Sequence, residues 1–319
     1  MLISECLPAQ TYWGLDSSFN GTGFRIEPNP TGEYIGATLT MTDGRIVVAG
    51  TNINGPSGML LVRQYLENGD PDPSFGTNGY AMANYRQVEG VVLGLGMQST
   101  GKIILAGGEM TNQVHPIVER LLPNGDLDTS FGQSGIVDIP NAGGAQYGMR
   151  VFVLPDDRIV IGYRIGFPPQ LKFGSCRLLP DGEVDLTYGV NGFATMVGPS
   201  GSLRHNAVAM DAQYRLIFAG PRGVTIPNGN YLARMDSSGF ADSEFWCQWL
   251  RDYLSGMFND FRDVVCHPNG SCYPLGFGGT GQLRQQCHRH RKVLFSNVIW
   301  IRPLARADWR SSHRHTAVT

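Results

Sequence analysis

Short apolar runs alternate with glycine- and asparagine-containing turns along most of this chain. Between Tyr80 and Leu122, runs with strand character occupy 80–84, 88–97, 102–106 and 116–122. Runs of this length, bounded by turn residues, predict β-strands. The Thr-Gly pair before the third run supplies the positive φ that a tight hairpin requires. No window shows a helical period, so the pattern predicts an all-β fold.

A turn signature recurs at an almost constant spacing. It is an aspartate followed three residues later by an aromatic residue. The copies are Asp16 with Phe19, Asp72 with Phe75, Asp128 with Phe131, Asp185 with Tyr188 and, more weakly, Asp242, with aspartates 56, 56, 57 and 57 residues apart. An arginine precedes the later copies, at Arg63, Arg120, Arg177 and Arg234, 57 residues apart. Such a period indicates tandem structural repeats.

The period favours a β-propeller of four-stranded antiparallel blades. A single meander of 56–57 residues cannot bury both faces, so neighbouring units must stack, and radial stacking is the propeller solution. A two-sheet sandwich does not explain the constant period. We divide the chain into a lead-in at 1–14, propeller repeats at 15–278 with units starting near 15, 72, 128, 185 and 242, and an aberrant basic tail at 279–319.

The repeat text resembles a known family. The run from Arg120 to Gly132, with the hairpin Asp43–Gly50, is similar to the bacterial delta-60 repeat family. The resemblance covers roughly residues 15–278. It implies a β-propeller and a secreted or surface-associated protein of bacteria. It implies no catalytic residue, because the family has no assigned activity.

The repeat breaks abruptly after Phe245. The previous unit continues Gly-Val-Asn-Gly-Phe-Ala-Thr after Tyr188, whereas residues 246–253 read Trp-Cys-Gln-Trp-Leu-Arg-Asp-Tyr. Deleting one base from DNA that encodes 245–253 can restore the expected text, and similar recoding of the tail restores strand-like text. We therefore interpret 246–253 and 279–319 as frameshifted, which predicts a ring left incomplete or open at the C-terminus. The alternative is a true basic tail that binds nucleic acid.

Composition narrows the function only a little. The net charge of −2 favours neither nucleic acid nor an anionic membrane as a partner, and no apolar run is long enough to span a bilayer. The first ten residues do not have the pattern of a signal peptide. The six cysteines lack metal-ligand spacing. A two-residue turn at Asn269-Gly270 would not place Cys266 and Cys272 directly opposite each other, so a disulfide between them is not favoured. We predict no metal and no cofactor.

The repeated polar residues are expected to be structural. Each aspartate should cap its own turn, each aromatic residue should fill the space between blades, and each arginine should pair with the turn aspartate or with carbonyls. The expected function is a non-enzymatic binding or surface scaffold. Its ligand, a protein or small molecule, would bind at a rim carrying the variable loops 52–58, 111–115, 166–170 and 221–230. The alternative is a propeller hydrolase or lyase with a rim or channel site.

Overall fold

The computed structural model describes residues 15–27, 33–52, 60–83, 90–110, 114–139, 146–165, 172–197, 207–221, 230–242, 245, 260–266 and 272–277. Within these residues the chain forms seventeen β-strands and no α-helix. The all-β prediction is confirmed. Every strand pairs with its sequence neighbour in an antiparallel meander.

Three sheets have four strands each, and we number them as blades in chain order. Blade 1 consists of β1 (Glu33–Thr40), β2 (Ile46–Asn52), β3 (Leu60–Tyr65) and β4 (Tyr80–Ala83). Blade 2 consists of β5 (Gly90–Met97), β6 (Ile103–Met110), β7 (Val114–Leu121) and β8 (Ile136–Asp138). Blade 3 consists of β9 (Gln146–Val153), β10 (Ile159–Ile165), β11 (Lys172–Leu178) and β12 (Phe193–Val197).

Two further sheets contain fewer described strands. Blade 4 consists of β13 (Ala207–Met210), β14 (Leu216–Pro221) and β15 (Asn230–Met235). The fifth sheet is the hairpin of β16 (Asp260–Cys266) and β17 (Cys272–Phe277). Residues 246–259, where the fourth strand of blade 4 is expected, lie outside the described part of the chain.

The sheets pack face to face in chain order. The first strands of successive sheets contact one another, β1 with β5, β5 with β9, β9 with β13 and β13 with β16. Successive side chains of one strand point alternately toward the two adjacent blades, because the strand is pleated. Ile103 and Leu105 join a core shared with blade 1, whereas Ile104 and Ala106 join a core shared with blade 3. This is blade packing, and the β-propeller prediction is confirmed.

The blades are offset from the units that the sequence suggested. The stretch that begins at Asp72 contributes β4 to blade 1 and then β5, β6 and β7 to blade 2. One sequence unit therefore supplies the outermost strand of one blade and the three inner strands of the next.

Candidate functional site

The repeated aspartates cap their own turns. The Asp72 carboxylate accepts a hydrogen bond from the Ser74 backbone N–H at 2.9 Å and another from the Ser74 hydroxyl at 2.6 Å. The same contacts join Asp16 to Ser18, Asp128 to Ser130 and Asp185 to Thr187. The carboxylate satisfies a backbone N–H that the turn itself leaves unpaired, which is the capping role expected from the sequence.

Hydrogen bonds keep these carboxyl groups ionised. Burial alone raises the pKa of Asp72, but the hydrogen bonds from Ser74 and Gln64 outweigh burial and lower that pKa to about 2. The pKa of Asp185 is also lowered to about 2, because hydrogen bonds from Thr187 and Arg177 outweigh its burial. Carboxylates held in this way are poorly suited to exchange protons with a substrate near neutral pH.

Three of the repeated arginines fasten the capped turn to the sheet. Arg120 donates from Nε to the Asp128 carboxylate at 2.8 Å, and its guanidinium lies 4.5 Å from the centre of the Phe131 ring. It also donates from Nη1 to the Pro180 carbonyl of blade 3. Equivalent pairs are Arg177 with Asp185 and Tyr188, and Arg234 with Asp242 and Phe245. The arginines therefore stabilise the turn.

Blade 1 departs from this arrangement. Its turn aspartate, Asp72, accepts a hydrogen bond from Gln64 Nε2 at 2.7 Å. The arginines of the later blades stand eight residues before their aspartates, and so does Gln64, whereas Arg63 stands nine before. The β2–β3 register pairs Gln64 with Val47 and Arg63 with Val48. Arg63 therefore lies on the other face of the strand, because a shift of one residue changes the face.

A contact that we call the blade seam joins each capped turn to the next blade. Its backbone hydrogen bonds run from Gly76 N–H to the Asn124 carbonyl (2.7 Å), from Gly132 to Asp181 (2.9 Å) and from Gly189 to Ser238 (2.7 Å). The aromatic residue of the turn also packs on a glycine of the next blade. A Cβ added to Gly182, whose φ is +96°, would lie 2.8 Å from the Phe131 ring. Only glycine suits such a position.

One ionisable residue in the core was not anticipated from the sequence. Glu119 is fully buried on β7, between Ile117 and Leu121, which both pack against blade 1. Neither carboxylate oxygen of Glu119 has a hydrogen-bond partner among the described residues. Burial raises the pKa of Glu119 to about 7. Its repeat position is occupied by Cys176 in blade 3 and Ala233 in blade 4. The repeat period therefore does not predict a buried acid at this position.

A cleft of about 320 Å³ lies between residues 15–27 and blade 1. Its apolar wall comes from β1, β2 and β3, and includes Ile46, Val48 and Leu61. Arg63, the side chain displaced from the repeat position, also lines the cleft, and its guanidinium lies 4.9 Å from the centre of the Tyr80 ring. The cleft therefore combines an apolar sheet face with a cationic edge.

Arg25 and Glu27 form an ion pair at this cleft. Glu27 also accepts a hydrogen bond from the Tyr80 hydroxyl at 3.2 Å, and Arg25 donates to the Gly69 carbonyl at 3.3 Å. Burial acts to raise the pKa of Glu27, but Arg25 outweighs it and holds that pKa below its usual value. Burial raises the pKa of Tyr80, and the neighbouring Glu27 adds to this. Near neutral pH Glu27 therefore stays ionised and Tyr80 stays protonated, which suits binding better than proton transfer.

The connections on one edge of the sheets vary, whereas those on the opposite edge do not. The first and second strands of every sheet are joined by five residues, namely 41–45, 98–102, 154–158, 211–215 and 267–271. The second and third strands are joined by seven, three, six and eight residues, namely 53–59, 111–113, 166–171 and 222–229. Corresponding strands end at the same edge of a propeller, so these four loops share a rim. We call it the variable rim.

The cysteines of the fifth sheet differ from the expectation. Cys266 and Cys272 are directly opposite each other in the β16–β17 register and form a disulfide. Five residues separate these cysteines, whereas the sequence interpretation assumed a shorter turn that would keep them apart. Cys176 is a free, buried thiol whose pKa is raised by that burial.

Neither a metal-binding cluster nor a membrane-spanning helix is present among the residues that the structure describes. No group of three or more His, Cys, Asp or Glu side chains is placed to hold a metal ion there. No helix in the same part of the chain is long and apolar enough to cross a membrane.

Two stretches of the chain match the family model of a β-propeller domain of unknown function, DUF5122. They are similar to it over residues 42–75 and 98–131. Each stretch runs from the turn before a second strand, through the third strand, to the aromatic residue of a capped turn. The match thus includes the aspartate and the aromatic residue of two capped turns and ends one residue before the seam donors Gly76 and Gly132. No curated protein matches the chain.

Several predicted features fall outside the described residues. These are the segment 246–253, the basic tail 279–319 with its histidines, and nearly all of the variable loops. The frameshift interpretation and the rim contacts therefore stay predictions.

Proposed function

We propose that the protein is a non-enzymatic scaffold that binds its ligand at the variable rim. The observation that carries this proposal is the contrast between the two edges of the sheets. Among the described strands, one edge keeps connections of constant length, five residues between the first and second strands and fourteen between the third and fourth, while the other accepts loops of three to eight residues between the second and third. Loops that vary on a constant framework are where binding residues concentrate in repeat folds.

The repeated charged residues support a scaffold in a second way. The Asp128 carboxylate is engaged by Ser130, Arg120 and Lys102, and the Asp185 carboxylate by Thr187, Arg177 and Arg158. These carboxylates therefore stabilise the fold. The alternative of a hydrolase or lyase would draw on acids or histidines that converge at a rim or channel.

The composition of the rim suggests the class of ligand. Among the 24 residues of loops 53–59, 111–113, 166–171 and 222–229, Arg222 is the sole charged one. The connections between blades at the same edge, 84–89, 139–145 and 198–206, add Arg86, Glu89 and Arg204. Glycine, proline and amide side chains prevail. Such loops suit an uncharged ligand that is recognised by hydrogen bonds, such as a glycan or a peptide backbone. The resemblance to bacterial delta-60 repeats, with its implied secreted or surface location, agrees with this proposal.

Binding to glycan and peptide arrays tests the proposal. The full chain is compared with a variant in which 222–229 is replaced by a Gly/Ser segment of equal length. We expect the variant to lose binding while its melting temperature stays unchanged. Binding of the full chain should change little from roughly 50 to roughly 200 mM salt, whereas binding through the basic tail would weaken steeply. Retention of binding after loop replacement would contradict the proposal.

A further inference from the structure

The blade seam between blades 3 and 4 differs from the other two seams at its surface. Gly189 N–H donates to the Ser238 carbonyl at 2.7 Å, and a Cβ added to Gly239 would lie 2.8 Å from the Tyr188 ring. The turns of the two blades are therefore in direct contact. Three large apolar side chains lie exposed on these turns. They form what we call the seam patch, namely Leu186, Val190 and Phe240, which are 70%, 69% and 54% exposed.

The other two seams carry different residues at the same repeat positions. The counterparts are Pro73, Thr77 and Asp126 in one seam and Thr129, Gln133 and Glu183 in the other. Five of these six are polar and the sixth is proline, so the fold does not require large apolar residues there. Single exposed apolar residues are common on proteins, whereas a group of them marks an interaction site.

An exposed tyrosine on the same edge extends this apolar surface. Tyr214 lies in the connection between β13 and β14, is 45% exposed and has a φ of +58°. Its counterpart in blade 1 is Gly44, where an added Cβ would lie 3.0 Å from the Cβ of Glu67. The repeat therefore places Tyr214 beside Ser237, in the turn that carries Phe240. A bulky residue with positive φ is strained, and such strain concentrates at functional sites.

Acidic side chains surround the seam patch. Asp236 accepts a hydrogen bond from the backbone N–H of Phe240 itself, at 2.9 Å. Glu183 is exposed and stands three residues before Leu186, so their Cα atoms lie within about 11 Å of each other. Asp181 is exposed in the same turn as Glu183. In the part of the chain that the structure describes, none of these three acids forms an ion pair.

The arginines that support the two turns are already neutralised. Arg177 lies 2.7 Å from the Asp185 carboxylate, and Arg234 lies 2.6 Å from that of Asp242. The turns at 179–192 and 236–242 contain five acids and no lysine or arginine. Three carboxylates are therefore left without a basic partner around an apolar patch. Opposite charge across a docking surface steers and orients the partner.

We propose that the seam patch docks a basic peptide segment of a partner protein. The segment lays apolar side chains on the patch and places lysine or arginine side chains against Glu183 and Asp236. The patch lies on the edge that carries the connections of constant length, opposite the variable rim. It is therefore a second interaction surface, and its use does not depend on the ligand of the variable rim.

A basic partner is favoured over a second copy of the chain. In a symmetric dimer the same surface of each copy meets itself. Asp181, Glu183 and Asp236 of one copy would then face the same three acids of the other. Like charges brought together in an interface oppose association. The charge around the patch therefore selects a partner of opposite sign.

Selection from a displayed library of random peptides tests the docking. The full chain is the bait. The variant Leu186→Thr/Val190→Thr/Phe240→Asp is used for counter-selection, because threonine and aspartate occupy these positions in the other seams and therefore suit the turns. The affinities of enriched peptides are then measured by fluorescence anisotropy, and thermal unfolding compares the fold of the variant with that of the full chain.

We expect the enriched peptides to carry a net positive charge and large apolar residues, and to bind the triple variant more than about tenfold more weakly. Glu183→Gln should weaken binding about threefold, and this difference should vanish in roughly 1 M salt. The control Met82→Thr/Val197→Thr removes side chains that are 60% and 69% exposed on other strands, and it should leave binding unchanged. Replacement of 222–229, on the opposite edge, should also leave it unchanged.

Two results of the selection overturn the proposal: no peptide that depends on the patch, or enriched peptides that are neutral or acidic. Analytical ultracentrifugation supplies a third. A dimer of the full chain that is lost in the triple variant would assign the patch to a second copy. The single variant Val190→Thr changes one exposed side chain and gives the same readout if the triple variant unfolds.

Discussion

At the scale of single residues, the buried carboxyl of Glu119 should make stability depend on pH. Its pKa is raised to about 7 in the folded chain. An acid with a raised pKa binds its proton more tightly in the folded state than in the unfolded state. Its contribution to the free energy of unfolding is therefore complete below the ordinary pKa and is lost as the pH rises through 7. The loss is about 1.4 kcal/mol for each pH unit between those limits.

We therefore expect Glu119→Gln to raise the melting temperature at pH 8 and to change it little at pH 4. Thermal unfolding followed by circular dichroism at both values measures this. Glu67→Gln is the matched control, since Glu67 is exposed, and it should leave the profile unchanged. An equal effect of Glu119→Gln at both pH values would show that the shape of the side chain, and not its ionisation, determines the change in melting temperature.

The capping aspartates give a second prediction at this scale. Asp128→Ala removes the cap and also leaves Arg120, which is 4% exposed, without its carboxylate partner. Removing one partner of a buried ion pair lowers the free energy of unfolding by about 3 kcal/mol. Chemical denaturation should show this loss, with a clearly smaller one for Asp16→Ala, whose cap is exposed. Calcium-dependent stability that disappears in Asp128→Ala would instead support a metal site.

At the scale of structural elements, the blade seam depends on its glycine. Gly182→Ala puts a Cβ 2.8 Å from the Phe131 ring at a φ of +96°, so the aromatic side chain must shift. Gly101→Ala is a matched control with a φ of +79° and no neighbour nearer than 3.5 Å. Backbone strain alone costs about 1 kcal/mol. Equilibrium unfolding should show a larger loss for Gly182→Ala, and equal losses would mean that the seam is not tightly packed.

The strands and their antiparallel order could be predicted because turn residues punctuate short apolar runs in every repeat. The phase of the blades could not be predicted, because a period has no intrinsic starting point. The repeated aspartate that marks the start of each sequence unit lies inside a blade, between its third and fourth strands. For the same reason the sequence pattern makes Asp16 the start of a unit, whereas its capped turn contacts blade 1 through Asn20 and Asn68 as the turn of blade 1 contacts blade 2 through Gly76 and Asn124.

Arg63 shows the limit of residue-level prediction from the repeat. Its spacing of 57 to Arg120 matched the period, but its spacing of nine to Asp72 did not match the eight found in later blades. The second spacing was the better guide, because it decides which face of β3 meets the turn. Glu119 and the cleft had no repeated signal, since each arises where one blade differs from the others.

At the scale of the whole molecule, the frameshift interpretation predicts a specific result. The nucleotide sequence of the gene should contain a single-base slip near the codon for Phe245 and another near that for Gln282. Correcting both should extend the 57-residue repeat through the tail. A gene without such slips would make 279–319 an evolved segment, and deletion of 280–319 should then abolish salt-sensitive DNA binding.

The offset between sequence unit and blade has an evolutionary consequence. A recombination event that adds or removes one whole unit donates an outermost strand to the blade before it and three inner strands to its own. The number of blades then changes by one, and no blade is left short of a strand. A change of reading frame inside a unit has the opposite effect, because every residue after it changes until the frame is restored, starting with the unfinished blade and continuing into the next one. Duplication is thus well tolerated in this architecture, whereas a single lost base is costly.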